Sequence, residues 1–302
     1  MNVAVLGPGG VGGLVAGALD RAGTAVAVVA RDSTVETIST RGLRVSSVLL
    51  GDFIAHPRAL ARLDEPVDVL IVATKASGLR EALERIDATP SLVLPLLNGL
   101  DHIAVLRERF GEERVVAGTI RVEADRPQAG VVVHTSQFLR VDMASHEPAV
   151  REPMELLAGT LSDAGVPARV GDSEPQVMWS KLVRLNALAC TTSAFDKLLG
   201  EIRSTPELRD ELMGAIDEGC AVARAQGASI ASGEALGELA AAHATLGSSM
   251  QRDIAAGRPP ELDAIPGSVL RAAAAHGIEC PTIERLIAMI AARAGVPLPF
   301  LS

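Results

Sequence analysis

Six residues, Gly7-Pro8-Gly9-Gly10-Val11-Gly12, constrain this chain more than any other stretch. They read G-x-G-x-x-G. An apolar run from Asn2 to Leu6 precedes them, long enough for one buried strand. An apolar helical stretch follows to about Arg21, Gly23 stands where it would end, and a second apolar run covers Ala25 to Ala30. Strand, glycine turn, helix and strand is the setting in which such a triplet binds the pyrophosphate of a dinucleotide. In that setting Gly7 permits the tight turn, Gly9 lets the backbone approach the pyrophosphate, and Gly12 lets the helix lie close on the sheet. Pro8, Gly10 and Val11 complete the turn, and the N–H groups at the helix start face the phosphates. The competing reading is an ordinary turn in an α/β sheet.

Length and composition narrow the classes. A chain of 302 residues suggests two domains. With 48% hydrophobic and 22% charged residues it can bury a sizeable core and is not disordered. It has no Tyr, one Trp and five Phe, which leaves few stacking platforms for single-stranded nucleic acid. A net charge of −9 repels a polyanion, so nucleic acid is excluded as a partner. Cys190, Cys220 and Cys280 are odd in number, widely spaced and far from any histidine pattern. That spacing argues for free thiols in a reducing compartment, with neither a disulfide frame nor a metal site. No apolar stretch is long enough to span a membrane, and no basic segment precedes the first apolar run. A cytoplasmic protein with no membrane partner is expected.

Arg31 and Asp32 follow the second apolar run, 19 and 20 residues beyond Gly12. An acidic residue here binds the ribose 2′-hydroxyl of NAD, and an arginine pairs with the 2′-phosphate of NADP. The sequence offers both. Residues 33–66 suggest a short helix and a hairpin, and 67–73 (VDVLIVA) a buried strand with Thr74-Lys75 just past its end. Residues 77–86 and 103–110 are expected as helices. Residues 91–97 form another apolar run, in which Pro95 is awkward for a central strand. It leads into Asn98-Gly99. Lys75 and Asn98 each follow an expected parallel strand, at the edge where such sheets bind ligands; the plain alternative for Asn-Gly is turn chemistry. Residues 114–120 read as strand. Two β-like runs in succession over 130–141 imply that the sheet turns antiparallel there, and a lone strand histidine such as His134 reads as structural. A helix over 150–164 and a strand at 168–170 complete this half.

From Asp172 the pattern is helical only. Helices are expected over 175–199, 206–226, 233–256, 260–277 and 282–294, with Pro266 kinking or splitting the fourth. The expected architecture is α/β: a Rossmann-type dinucleotide-binding domain over residues 1–171, then an all-α substrate and catalytic domain over 172–302. In Trp179-Ser180-Lys181-Leu182, Lys181 shares a helix face with Leu185, Leu188 and Thr192. A lysine on so apolar a face needs a reason, because an unpaired buried ammonium is costly. One reason is catalysis: it can polarise a carbonyl and donate a proton. Ser249 and Glu261, on either side of Pro259-Pro260, read by themselves as an exposed serine and a glutamate favoured at a helix start.

Taken together, these motifs resemble the ketopantoate reductase family along essentially the whole chain. They are Gly7-Pro8-Gly9-Gly10-Val11-Gly12-Gly13, Arg31, Thr74-Lys75, Asn98-Gly99, Trp179-Ser180-Lys181-Leu182, Ser248-Ser249-Met250 with Glu261, and His276-Gly277-Ile278 with Pro281. The resemblance implies that Lys181 is the general acid, that Glu261 stabilises its ammonium and hydrogen-bonds the substrate, and that Ser249 and Asn98 also hold the substrate. It implies NADPH on the glycine turn, with Arg31 at its 2′-phosphate and Lys75 and Asn98 toward the nicotinamide. The implied reaction is reduction of a 2-keto acid, ketopantoate or a relative, to a 2-hydroxy acid, and the implied assembly is a homodimer. One departure stands out. Family members that reduce ketopantoate commonly carry asparagines four and eight residues after the lysine, where this chain has Leu185 and Ala189; Asn186 is one residue off, about 100° around the helix. Two alternatives stay open: an NAD-dependent D-2-hydroxyacid dehydrogenase using Asp32, and a non-catalytic NAD(P) sensor.

Overall fold

Gly7 ends the first strand of a parallel sheet in the computed structural model, which describes residues 1–299. Twelve strands occur among the described residues: β1 (Asn2–Leu6), β2 (Ala25–Val29), β3 (Leu43–Ser47), β4 (Gly51–Ala55), β5 (Arg58–Leu60), β6 (Val69–Val72), β7 (Leu92–Pro95), β8 (Ala117–Arg121), β9 (Ala124–Gln128), β10 (Val131–His134), β11 (Arg140–Ala144) and β12 (Ala168–Val170). The chain divides into two compact units, one made of Met1–Leu97 and His102–Val177, the other of Asn98–Asp101 and the chain from Met178 onward. The second unit thus starts later than Asp172, because the long helix Glu174–Phe195 begins within the first. It also takes in the short segment around Asn98, which no local composition marks.

In the first unit five parallel strands run in the order β5-β2-β1-β6-β7. Their direction of winding reverses between β2 and β6, on either side of β1, which makes the carboxyl end of β1 the place where an α/β sheet opens a crevice. Pro95 is tolerated because its nitrogen lies on the edge of β7 away from β6, where an isolated bridge at Val93, to the Arg114 carbonyl and the Val116 N–H, stops short of it. Leu96 donates the bond to the Val72 carbonyl (2.8 Å), which leaves the Pro95 nitrogen on the other side of the strand. The remaining strands correct the expectation of one sheet turning antiparallel. β10 belongs to a four-stranded sheet, β4-β3-β10-β9, and β11 to a three-stranded one, β12-β11-β8. The two runs never pair with each other.

The helix Gly10–Arg21 is gripped by two sheets, which explains its excess of glycine. A Cβ on Gly12 would stand 2.2 Å from the Gly7 carbonyl oxygen and 3.0 Å from Ala73, on the parallel-sheet side. On Gly13 it would meet Val132 at 2.6 Å, and on Gly17 Val45 at 2.9 Å, both on the four-stranded sheet. Val3, Val5, Leu14, Val15 and Leu19 form the core between these layers.

His134 is a buried structural residue of β10. Ser136 Oγ donates to the Phe138 carbonyl (2.6 Å), so it must accept from His134 Nε2–H (3.0 Å); Nδ1 then accepts from Ser47 Oγ (2.8 Å), and the ring is neutral. Burial, the strongest influence, lowers the pKa of His134 below its ordinary 6.5, while the Phe138 carbonyl and Glu123 act the other way. The unfolded chain therefore takes up a proton at pH values where the folded protein does not. This contribution to stability is complete above pH 6.5 and is lost as pH falls below it. His134→Gln is expected to flatten that decline, seen as a smaller drop in thermal midpoint between about pH 7.5 and about pH 5 than the native protein shows.

The second unit is helical: Glu174–Phe195 from its second turn, Leu199–Ser204, Pro206–Ala225, Ser232–Ala241, Ser249–Ala255, Ser268–Ala275 and Pro281–Ala294. Trp179, Val183, Ile216, Ile265 and Ile287 are among the side chains that fill its core. The single helix expected over 233–256 is two helices. Ser248 caps the second of them, its Oγ accepting the Gln251 N–H (3.0 Å) and a bond from Thr192 Oγ1 (2.9 Å). Pro266 splits the next stretch as expected, through a π-helical turn, Asp263–Gly267. Proline has no N–H for the Leu262 carbonyl, and the Gly267 N–H takes that bond instead (3.0 Å).

Candidate active site

At the glycine turn the three glycines of the G-x-G-x-x-G spacing have separate physical causes. Gly7 has φ +88°, open to glycine and strained for other residues. Gly12 allows the contact with Gly7 described above. Gly9 is different: a Cβ there would meet nothing within 4 Å, so its side of the backbone faces open space. The helix that begins at Gly10 has no side-chain cap and no acidic residue in its first turn. Its leading N–H groups are therefore available to an anion. Gly10 itself packs against β9, where a Cβ would lie 2.4 Å from the Ala124 oxygen. Beside the turn, Thr74 Oγ1 is buried without a hydrogen-bond partner. An open glycine edge, an uncapped helix start and an orphaned hydroxyl together fit a pyrophosphate.

Arg31 lies beyond the end of β2, exposed, as the residue that opens the helix Asp32–Arg41; its carbonyl accepts from Thr34 and Val35 N–H. Asp32 is the first residue of that helix and is also exposed. Lys75 is exposed beyond the end of β6. Pro8 is buried and Val11 half-buried in the turn.

In the second unit three of the expected residues meet. Lys181 is buried, at 8% exposure, and its Nζ donates to Asn98 Oδ1 (2.8 Å). Asn98 Nδ2 donates to Glu261 Oε2 (3.0 Å). The ammonium can only donate and the carboxylate can only accept, so the amide between them has one consistent orientation. Asn98 bridges the two side chains. Gly99, with φ +83°, seats the Asn98 segment on the π-helical turn; a Cβ there would lie 1.8 Å from the Ala264 oxygen. Glu261 stands immediately ahead of that turn.

The other expected residues are placed less tightly. Ser249 is the first residue of its helix and exposed, whereas its neighbour Ser248 is buried as the cap. Arg258 is tied back to Asp253 (2.8 Å), closing the loop that leads from this helix to Glu261. Leu185 packs against the hydrophobic core and Ala189 is buried, so neither supplies a polar group. Asn186 does not replace them. It is fully buried, its Oδ1 accepts from Cys190 Sγ (3.4 Å), and its Nδ2 has no partner. His276 closes the helix Ser268–Ala275 and meets Gln226 (2.9 Å), a structural role. All three cysteines are buried and free of disulfides. Burial pushes their thiols up, Cys280 to about 12, which makes them poor nucleophiles. Among the described residues no group of three or more His, Cys, Asp or Glu is placed to hold a metal, and no helix is long and apolar enough to cross a membrane.

Comparison with known proteins covers both units. The family model described as ketopantoate reductase PanE/ApbA matches residues 3–147, and its C-terminal counterpart matches residues 175–294. The 2-dehydropantoate 2-reductase of Mycobacterium tuberculosis strain H37Rv is 31% identical over 98% of this chain and 99% of its own. A crystal structure of 2-dehydropantoate 2-reductase from Geobacter metallireducens GS-15 superimposes with a TM-score of 0.88 at 28% identity, covering 96% of this chain and 99% of the other. A ternary structure of D-mandelate dehydrogenase with NADH and anilino(oxo)acetate has the same fold, with a TM-score of 0.89 at 21% identity over 98% and 99% of the two chains. The match of both family models, over residues 3–147 and 175–294, and the similarity to the named reductases along the whole chain place this protein in the ketopantoate reductase family, as an oxidoreductase acting on a CH–OH group.

Proposed function

We propose that the protein reduces a 2-keto acid to the corresponding 2-hydroxy acid with NADPH, the substrate being 2-dehydropantoate or a keto acid with a less polar side chain. The observation that carries this reading is the chain of hydrogen bonds from the buried Lys181 through Asn98 to Glu261 in a member of this family. When bound, the nicotinamide would supply the hydride that reduces the carbonyl carbon. As it arrives, negative charge builds on the carbonyl oxygen, and a preorganised ammonium away from bulk water stabilises that charge strongly. Lys181 donates a hydrogen bond to this oxygen and then transfers its proton, giving the hydroxyl. Asn98 holds the ammonium, and Glu261 holds Asn98. The Ser249 hydroxyl hydrogen-bonds the polar end of the substrate. Gly7 through Gly12 hold the pyrophosphate, Arg31 pairs with the 2′-phosphate, and Lys75 lines the cofactor site. Leu185 and Ala189 offer no polar partner to the substrate side chain, which supports a substrate less polar than dehydropantoate. The name of the D-mandelate dehydrogenase relative gives a 2-hydroxy acid with an apolar substituent as a precedent on this fold.

Asp32 supports a second reading, in which NAD is the cofactor. The test is oxidation of NADPH and of NADH, followed by absorbance, with dehydropantoate beside a panel of 2-keto acids of graded side-chain polarity. NADPH is expected to turn over with a keto acid, and Arg31→Ala to raise the KM for NADPH about tenfold while leaving that for NADH in place. A preference of the native protein for NADH would transfer the role to Asp32. Cofactor binding without turnover of any keto acid would replace the reductase by a non-catalytic sensor.

A further inference from the structure

The residues that hold Lys181 are themselves held. Arg271, on the helix Ser268–Ala275, donates to two carboxylates: Nη2 to Asp101 (2.6 Å) and Nη1 to Asp263 (2.8 Å). Nη2 also reaches the Asp263 carbonyl (2.8 Å). Asp101 follows Asn98 by three residues, and Asp263 follows Glu261 by two. The guanidinium thus ties the segment carrying Asn98 to the segment carrying Glu261. Gly99 and Ala264, in backbone contact, lie between the two ties.

We infer that Arg271 is a positioning residue of the active site, bridging Asp101 and Asp263 so that Asn98 stays within hydrogen-bond reach of both Lys181 and Glu261. The inference rests on the reductase reading for its kinetic consequence and on geometry alone for its structural one. A closed circuit results, running Asn98, Glu261, Asp263, Arg271, Asp101 and back along the chain to Asn98, with Lys181 attached to it at Asn98. Its outer half is partly exposed, with side-chain accessibilities of 23% for Arg271, 51% for Asp101 and 70% for Asp263. Ion pairs at such exposure add little to global stability. They remain able to fix a loop whose displacement by an ångström has a large kinetic effect. An arginine suits the task because its planar fork serves two carboxylates at once, which a lysine does poorly.

The experiment is a double-mutant cycle between Arg271→Met and Asn98→Ala, read as kcat, the KM for NADPH and thermal midpoint. Arg271→Met is expected to lower kcat about 100-fold with the KM for NADPH unchanged and the midpoint moved only by about a few degrees. In the Asn98→Ala background the same change is expected to cost less than about twofold, because the residue it positions is gone. Arg271→Lys should recover part of the loss. Undiminished kcat in Arg271→Met, or an equal loss with and without Asn98, would overturn the assignment. If the native protein reduced no keto acid, the reductase reading would fall, and the Asn98 side-chain amide would still decide the geometry. Its NMR exchange with solvent is expected to accelerate in Arg271→Met, and unchanged protection would refute the positioning role.

Discussion

Lys181→Ala is expected to lower turnover about a thousandfold while the affinity for NADPH stays within about twofold of the native value. The first number follows from the chemistry. The alkoxide formed by hydride arrival has no comparable acid once the ammonium is gone, and positioned general acids contribute about this much. The second follows from location. Lys181 belongs to the helical unit, and the glycine turn, Arg31 and Lys75 belong to the other. Steady-state rates with the best keto acid and a fluorescence titration with NADPH measure the two quantities separately. Retention of most native turnover would remove Lys181 from the mechanism. Loss of NADPH binding as well would show a structural collapse, which a thermal melt on the same sample would register.

The second large effect separates two glycines of one motif. Gly12→Ala puts a methyl group 2.2 Å from the Gly7 carbonyl oxygen, a backbone atom that cannot swing aside. Overpacking of this kind is expected to destabilise the first unit by about 2–3 kcal/mol and to abolish NADPH binding, because the turn must deform. Gly9→Ala adds the same methyl group in open space, on extended backbone with a negative φ of −78°. Its stability is expected to stay within about 0.5 kcal/mol of native, while NADPH affinity falls more than tenfold, about 1.4 kcal/mol. Denaturant unfolding and NADPH titration of both variants test the pair. Native affinity in Gly9→Ala would mean that the pyrophosphate does not sit against this turn.

What could be read from the sequence was local. Strand, glycine turn and helix follow from adjacent residues, since φ at Gly7 and the apolar run of β1 depend on near neighbours only. The split at Pro266 was legible for the same reason, a missing N–H being a property of one residue. Lys181 stood out because its own helix is apolar around it, and burial at 8% agrees with that contrast. The family match of both halves followed from the order of such local signals.

The rest was decided by tertiary structure. Asn98 and Glu261 lie 83 and 80 residues from Lys181 on either side, and 163 from each other (98 to 181, 181 to 261, 98 to 261), and no periodicity links them. Asn98 also admits a plain turn reading, and Glu261 by itself reads as a helix-start carboxylate. Nothing nearby in the chain marked Arg271 or distinguished Asp101 from an exposed loop charge. The β-like runs of β10 and β11 look alike, yet they join different sheets, because strand partners are chosen by burial and register across the fold. Nothing local explains Gly13 and Gly17, which are small because the four-stranded sheet presses on that face of the helix. Short-range torsional and periodic preferences are written residue by residue along the chain, whereas a site assembled from distant segments exists only once packing has set their separation.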